Sequence, residues 1–389
     1  MHASLRRTQG EPNMGDHEKK APKRKKRRGL KIFLGIIIAI VAIIAALLIT
    51  ITVTEYRPAD VEDVAIEGEA ASGAVVKTGD DMTLMTWNTG YGALGENADF
   101  FMDGGTHVMT DDEPTVQANM ESMEKAVADV DPDFLFLQEV DLDANRSYGI
   151  DETKDFADAF DAAGLAFNHS FAYNYNALYV PYPWPPLGHI EAGVMTFSTR
   201  PVTSAQRIQL PCPFSWPVRA LNLKRCLLES RIPVVDAKGK DTGKELVLIN
   251  LHLEAYDSGE GKVAQTIQLR ERMEEEAKAG NYVIAGGDFN QTFTNVDTSD
   301  YPIEEGHWAP GIIDVRSFPG GFGLLMDGST PTCRSLATPY AGADKDNFVF
   351  YVIDGFIVSD NVRAKKVETV DHDFQWTDHN PVVLQFELQ

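Results

Sequence analysis

Tyr282–Asn290 reads YVIAGGDFN, an apolar run broken by two glycines and closed by an acid and an amide. YVIA is short and unbroken, the pattern of a strand covered on both faces. Gly286 and Gly287 end it, and Asp288 and Asn290 follow at once. A strand end holds a polar side chain accurately while leaving it open to solvent. The same arrangement recurs in both directions along the chain. MTLMTWN stops at Asn88, and FLFLQEVD sets Glu139 two residues beyond Leu137. LVLINLHLEAYD puts His252 near the end of its run, and YVIDGFIVS carries Asp354 inside a strand-like stretch. WTDHNPV places Asp378 and His379 just before the last apolar run.

Helical patterns separate these strands. Met120, Met123, Val127 and Val130 share one face of Val116–Val130, which Pro132 closes. Phe156–Ala163 predicts a second helix and Val263–Lys278 a third. Ala192–Phe197, Leu227–Val235, Glu245–Leu253, Phe348–Val358 and Pro381–Glu387 supply further strands. No internal repeat or linker divides the stretch, so one layered α/β domain over 81–389 is expected.

Taken singly, each polar residue has an ordinary reading. Glu139 and Asp378 would pass as solvated carboxylates, Asn88 and Asn290 as turn residues, His252 as a satisfied, partly buried histidine. Asp354 differs, because a carboxylate in so apolar a run needs a partner, and a histidine would serve. Together they form a chemical set. Hard oxygen donors such as Glu139, Asp288 and Asp378 suit Mg²⁺, with Mn²⁺ as the alternative, rather than zinc or copper. No Ser or Cys nucleophile stands out. The three cysteines exclude a disulfide-dense scaffold, and Cys212 and Cys226 lie away from the motifs. In an extracellular setting those two would be a candidate disulfide pair.

In this order the motifs resemble the endonuclease/exonuclease/phosphatase superfamily, the fold of DNase I, abasic-site endonucleases, neutral sphingomyelinases and inositol-polyphosphate phosphatases. The resemblance covers about Met82–Gln389; GGDFN and TDHNPV are its specific pieces, and QEV and WN support them. It implies an α/β fold of the DNase I-like type, a four-layered sandwich of two mainly antiparallel β-sheets flanked by helices, with the site at one end. It also implies roles. Glu139 would be the principal Mg²⁺ ligand, with Asn88 and Asp378 nearby. Asp288 would orient the attacking water and Asn290 would hold a phosphate oxygen. His379 would act as base or electrostatic clamp, oriented by Asp354, and His252 would lie near the leaving oxygen. The chemistry agrees: in-line hydrolysis of a phosphodiester needs an activated water, charge neutralisation and help for the departing alkoxide.

The N-terminus is of another kind. Ile32–Val53 is 22 residues without a charge, and at about 1.5 Å per residue it is long enough for a hydrocarbon core of about 30 Å. Residues 1–31 carry eleven Lys+Arg against three Asp+Glu, nine of the basic ones between Lys19 and Lys31. Basic flanks stay cytoplasmic, so a single-pass anchor in the cell membrane with its body outside is expected. The boundaries follow: a basic cytoplasmic tail 1–31, a transmembrane helix 32–53, a flexible tether 54–80 and a catalytic domain 81–389, acting as a monomer.

The whole chain has net charge -23, from 35 basic and 58 acidic residues. Removing the +8 tail leaves Thr54–Gln389 with 35 − 11 = 24 basic and 58 − 3 = 55 acidic residues, a net of -31. Such a body repels a polyanion, which disfavours nucleic acid as substrate unless a local patch survives among Arg200, Arg207, Arg219, Lys224, Arg225, Arg231 and Arg270. Tyr173–Ile190 and Pro211–Val218 read as insert-like loops dense in Tyr, Trp and Pro. Together with Ser317–Met326 they are either rigid packing loops or apolar loops that touch lipid. The leading expectation is a membrane-anchored, Mg²⁺-dependent phosphodiester hydrolase acting on a phospholipid or other phosphodiester headgroup. An extracellular nuclease and a non-catalytic surface binding module are the alternatives.

Overall fold

The computed structural model describes residues 23–110, 112–304 and 306–389. Most of the basic tail therefore lies outside the described residues. The described residues divide into two units, one ending at Thr50 and one spanning Ile51–Gln389. Helix α1, Lys23–Val53, begins inside the basic run and contains the stretch Arg28–Val53, long and apolar enough to cross a membrane.

The second unit is built on two large sheets. In chain order its strands are β1 (Val61–Asp63), β2 (Glu67–Gly68), β3 (Val76–Lys77), β4 (Met82–Asn88), β5 (Phe134–Ala144), β6 (Asn168–Val180), β7 (Gly188–Ser198), β8 (Ser204–Gln209), β9 (Cys226–Val235), β10 (Asp241–His252), β11 (Tyr282–Asp288), β12 (Gln291–Phe293), β13 (Gly311–Ile313), β14 (Phe322–Leu325), β15 (Cys333–Arg334), β16 (Phe350–Tyr351), β17 (Asp354–Ser359), β18 (Val362–Thr369) and β19 (Val382–Leu388). Helices α2 (Glu113–Val130), α3 (Glu152–Ala162) and α4 (Glu260–Lys278) intervene. One sheet runs β18-β19-β4-β5-β7-β6-β2, the other β1-β8-β9-β10-β11-β17-β14 with β3 beside β9.

Continuous apolar runs are explained by burial on both faces. In β5, Phe134 and Phe136 pack between the sheets while Leu135 and Leu137 pack outward under α2 and α3. In β11, Ile284 faces the inter-sheet core and Val283 and Ala285 face α4, through Leu269 and Met273. The layers are thus helices, sheet, sheet, helix, the four-layered α/β arrangement expected. Most pairs are antiparallel. The crossovers through α2 and α4 make β4–β5 and β10–β11 parallel, so the ends of β4, β10 and β11 and the middle of β5 deliver Asn88, His252, Asp288 and Glu139 together.

Three expectations need correction. The stretch 54–80 is no free tether: β1 pairs with β8, β2 with β6, and β3 with β9, and Val76 is fully buried against Ile232 and Val234. Each piece is two or three residues long, too short for any periodicity to register. Tyr173–Ile190 is not a loop throughout, because β6 and β7 extend into it as a long antiparallel pair, leaving residues 181–187 as the connection. Phe348–Val358 is not one strand either: Val352 and Ile353 break it into β16 and β17, and Asp354 opens β17.

Candidate active site

The eight residues singled out in the sequence converge: Asn88, His252 and Asp288 end their strands, Glu139 lies within β5, Asp354 opens β17, Asn290 follows β11, and Asp378 and His379 precede β19. Glu139 occupies a β-bulge, where the pairing of β5 with β7 slips between Gln138 and Val140, and its φ of 56° is left-handed. A bulge re-aims a side chain out of the pleat, and here the carboxylate reaches Asn88, whose Nδ2 donates to Glu139 Oε1 at 3.2 Å and to Asp288 Oδ2 at 3.1 Å. The register of β10, β11 and β17 sets His252 opposite Asp288 and Asp288 opposite Asp354. Gly287 is required at the crossing. With φ near 142°, a Cβ there would lie 1.9 Å from the carbonyl oxygen of Leu251.

Asp288 Oδ2 stands between two imidazoles, 3.4 Å from His252 Nε2 and 3.9 Å from His379 Nε2. His379 Nδ1 is 2.9 Å from Asp354 Oδ2, and the Trp87 indole donates to the His379 carbonyl at 2.9 Å, which holds the loop carrying Asp378 and His379. The backbone N–H groups of Ile353 and Asp354 both donate to Thr332 Oγ1. Asn290, also at a left-handed φ of 51°, lines the cleft, but its Nδ2 already donates to the Leu253 carbonyl at 2.9 Å.

Burial lowers the basicity of both histidines, but the outcomes are opposite. At His379 the charges of Asp354 and Asp378 outweigh burial and raise its pKa well above the usual value. His252 is driven well below, by burial and then by the positive charges of Arg225 and His379. At neutral pH the site therefore holds one imidazolium and one neutral imidazole. Burial, with repulsion from Asp354, pushes Asp288 up to about 7 despite His379 and the hydrogen bonds it accepts. Asp378 is likewise raised by burial.

Not every functional candidate was legible. Asp103 and Tyr256 line the same cleft, the phenol donating to Asp103 Oδ1 at 3.2 Å, and burial with the nearby Asp378 pushes Asp103 up to about 7. Tyr91 lies buried under the Arg146 guanidinium, 3.7 Å from ring centre to Cζ, and its hydroxyl has no hydrogen-bond partner among the described residues. None of these four carries a local motif. A polar layer beneath the site does have a sequence signal, Asn250 inside LVLINL: its side chain accepts from Gln138 Nε2 at 2.8 Å and donates to the carbonyls of Leu137 and Met195.

The donor set fits a hard divalent cation. Glu139, Asp288, Asp378 and Asp103 bring carboxylates into one cleft, and burial raises three of them, the signature of negative charge that the protein leaves uncompensated. Two triplets, Asp288 with Asp354 and His379, and Cys333 with Asp378 and His379, bring ligand atoms within 4.8 Å of one another. The Cys333 thiol, pushed up to about 12 by burial, stays protonated and is a poor partner for such an ion. Neither triplet contains Glu139.

The cleft encloses about 520 Å³ and extends from these residues along an apolar wall. The seven candidate cations do not form a basic footprint on it. Arg200 pairs with Asp133, Arg219 with Glu55, Arg231 with Glu229, Glu245 and Glu276, and Arg270 with Glu274. Arg207 donates to the Tyr173 and Lys224 carbonyls, Lys224 to those of Arg219 and Asn222, and Arg225 to that of His252. The cysteines are free: Cys226 is buried against the Asn174 side chain, and Cys212 contacts the Leu223 carbonyl. The candidate disulfide is therefore not formed.

The family model of the Endonuclease/Exonuclease/phosphatase family matches residues 85–379, which includes all eight residues. Among solved structures, the endonuclease/exonuclease/phosphatase from Beutenbergia cavernae superposes with a TM-score of 0.54 at 18% identity, over 79% of this chain and 72% of that one. Truncated Caenorhabditis elegans TDP2 gives 0.46 at 16% identity, over 80% and 98%. The human Nocturnin catalytic domain with bound sulfate gives 0.47 at 15%, over 84% and 98%. At such identities the Beutenbergia likeness speaks to the fold alone. No curated protein matches the chain in sequence.

Proposed function

Since the chain belongs to the endonuclease/exonuclease/phosphatase family, we propose that it is a membrane-anchored, Mg²⁺-dependent phosphodiester hydrolase. Its N-terminus lies in the cytoplasm, its body outside the cell, and its substrate is a lipid phosphodiester. The observation that carries the hydrolase reading is the meeting of Asp288 with two imidazoles, those of His252 and His379, beside the carboxylates of Glu139 and Asp378. When bound, a divalent ion supplies charge neutralisation on the phosphoryl oxygens and acidifies a water; Glu139, Asp378 and Asn88 would hold it.

The protein's own groups do the rest. Cationic His379, fixed by Asp354, is an electrostatic clamp for a non-bridging oxygen rather than a base. Asp288 accepts a hydrogen bond from the attacking water and orients it. His252, neutral, lies on the other side of Asp288, where it stabilises the departing oxygen by hydrogen bonding. Asn290 has one amide N–H left for a phosphate oxygen.

Two observations support a lipid over a nucleic acid. The body is strongly acidic, and the seven cations are all engaged within the chain. The anchor and topology rest on the apolar helix and its basic flank.

The test uses the full chain in nanodiscs with Mg²⁺, assayed on bis(p-nitrophenyl) phosphate, phospholipid, DNA, RNA and inositol phosphates. Glu139→Ala and His379→Ala should each lower turnover by about 10²-fold or more, in line with loss of a principal electrostatic group, with circular dichroism unchanged. Near-wild-type turnover in both would sink the mechanism, and cleavage of DNA without lipid would overturn the substrate.

A further inference from the structure

We infer that the apolar limb of the cleft is an acyl-chain site, loaded from the same membrane that carries the protein. The inference rests on the hydrolase reading above and names what fills the space beside the catalytic groups. A pocket of about 520 Å³ falls in the range that buries most of a drug-sized ligand. Its polar end is the set of Glu139, His252, Asp288 and His379. The remainder is lined by Phe101, Val180, Leu187, Val218 and Leu223 among others. The three arginines that also line the cleft are engaged within the chain, Arg146 by Asp141, Arg225 by Glu254 and the His252 carbonyl, and Arg334 by the Leu94 and Gly95 carbonyls. A phosphodiester bound at the polar end thus has a mainly apolar path for the group it carries into this limb.

The rim of that limb shows where its ligand comes from. Tyr182, which packs edge-on against Phe101, is 69% exposed, and Trp184 beside it is 89% exposed. Two residues before Val218, which also lines the cleft, Trp216 is 50% exposed. Three large rings standing in water cost hydration free energy, and Trp and Tyr are the residues favoured at a membrane–water interface. This stretch is also tied to the end of the apolar helix. Trp216 Nε1 donates to Thr52 Oγ1 at 3.1 Å, and Arg219 Nε donates to Glu55 Oε1 at 3.1 Å. Thr52 is the penultimate residue of α1 and Glu55 follows two residues after its end. Within the compact unit 51–389 the mouth of the cleft is therefore fastened to the point where the proposed span leaves the bilayer. A lipid from the adjoining leaflet can slide a chain past the aromatic rim without crossing water.

The experiment pairs two substrates that share the chemistry and differ only in the chain. Full-length protein in nanodiscs of phosphatidylcholine, phosphatidylglycerol and sphingomyelin is assayed on those lipids and on bis(p-nitrophenyl) phosphate. The double variant Tyr182→Ser/Trp184→Ser, exposed and outside the catalytic groups, should lose tenfold or more on lipid and stay within twofold on the soluble ester. Equal loss on both, no loss on either, or wild-type turnover of the ester without any lipid would overturn the acyl site. No wild-type turnover of either substrate would instead overturn the hydrolase reading. Binding is tested apart from turnover by a phosphatidylcholine with a diazirine on its acyl chain. Photolabelling should reach peptides spanning 180–187 and 218–223 and fall in the double variant. Labelling confined to α1 would overturn the inference.

Discussion

Asp288 Oδ2 is shared between two histidines held in opposite charge states, and each state has its own cause. His379 stays cationic because Asp354 and its neighbours outweigh burial, whereas at His252 the positive charges of Arg225 and His379 act in the same direction as burial. The sign of the pH dependence follows. A histidine with a raised pKa contributes stabilisation that is complete below its ordinary value of roughly 6.5 and is lost as pH rises through the raised value. If cationic His379 is the working form, activity should have an alkaline limb set by the same group. Asp354→Asn removes the principal counter-charge, so that limb should move to lower pH by a unit or more in the kcat/KM profile on bis(p-nitrophenyl) phosphate. An unmoved limb would assign it to another group. His252 gives the converse, its stabilisation present above roughly 6.5 and declining as pH falls below it. In His252→Gln, thermal unfolding followed from pH 7 to pH 5 should show a smaller loss of Tm than the wild type.

Strands reveal themselves in sequence only when burial imposes a pattern on them. FLFL and YVIA are covered on both faces, and their positions were legible because nothing but apolar side chains fits there. The polar residues that close such runs were legible for the complementary reason, since Asn88, Glu139, His252 and Asp288 interrupt runs that packing alone would continue. β6 was missed because its outer residues mix Tyr and Asn, and β18 because VRAKKVET is a charged edge strand, which protects a sheet from pairing with another chain. β1–β3 gain their strand character wholly from the partner across the pair. Asp103 and Tyr256 come from an isolated turn and a loop, so only the tertiary fold brings them together. The glycine of the opening motif tests how tightly element and site are joined. A Cβ at Gly287 collides with the Leu251 carbonyl of the parallel neighbour, so β10 and β11 must separate or shift. Gly287→Ala should cost about 3 kcal/mol or more, at the upper end of overpacking penalties, and reduce turnover with it. A wild-type Tm would show that the strands accommodate the methyl.

At the scale of the whole molecule, anchor and charge act against each other. The body carries a net of -31, and most bacterial and plasma-membrane lipid surfaces are neutral or anionic, so a free body would be held off a vesicle by repulsion reaching about a Debye length. That length is about 30 Å at 0.01 M ionic strength and about 8 Å at 0.15 M. The contacts of Thr52 and Glu55 with Trp216 and Arg219 keep the cleft mouth beside the end of the span regardless of salt concentration, apart from modest screening of the exposed ion pair. Lipid in the same bilayer should therefore be turned over at a rate that changes less than about twofold between these two ionic strengths, because delivery does not pass through the repulsive layer. Lipid in separate, protein-free vesicles containing phosphatidylglycerol must approach through it. Its hydrolysis should be slower, and should rise about tenfold or more as salt screens the approach, the inverse of the salt response of an attractively steered enzyme. Proteoliposomes carrying one fluorescent lipid, mixed with vesicles carrying another, report both rates in one cuvette. Equal rates on the two populations at low salt would mean that neither the anchor nor the acidic surface governs access to the site.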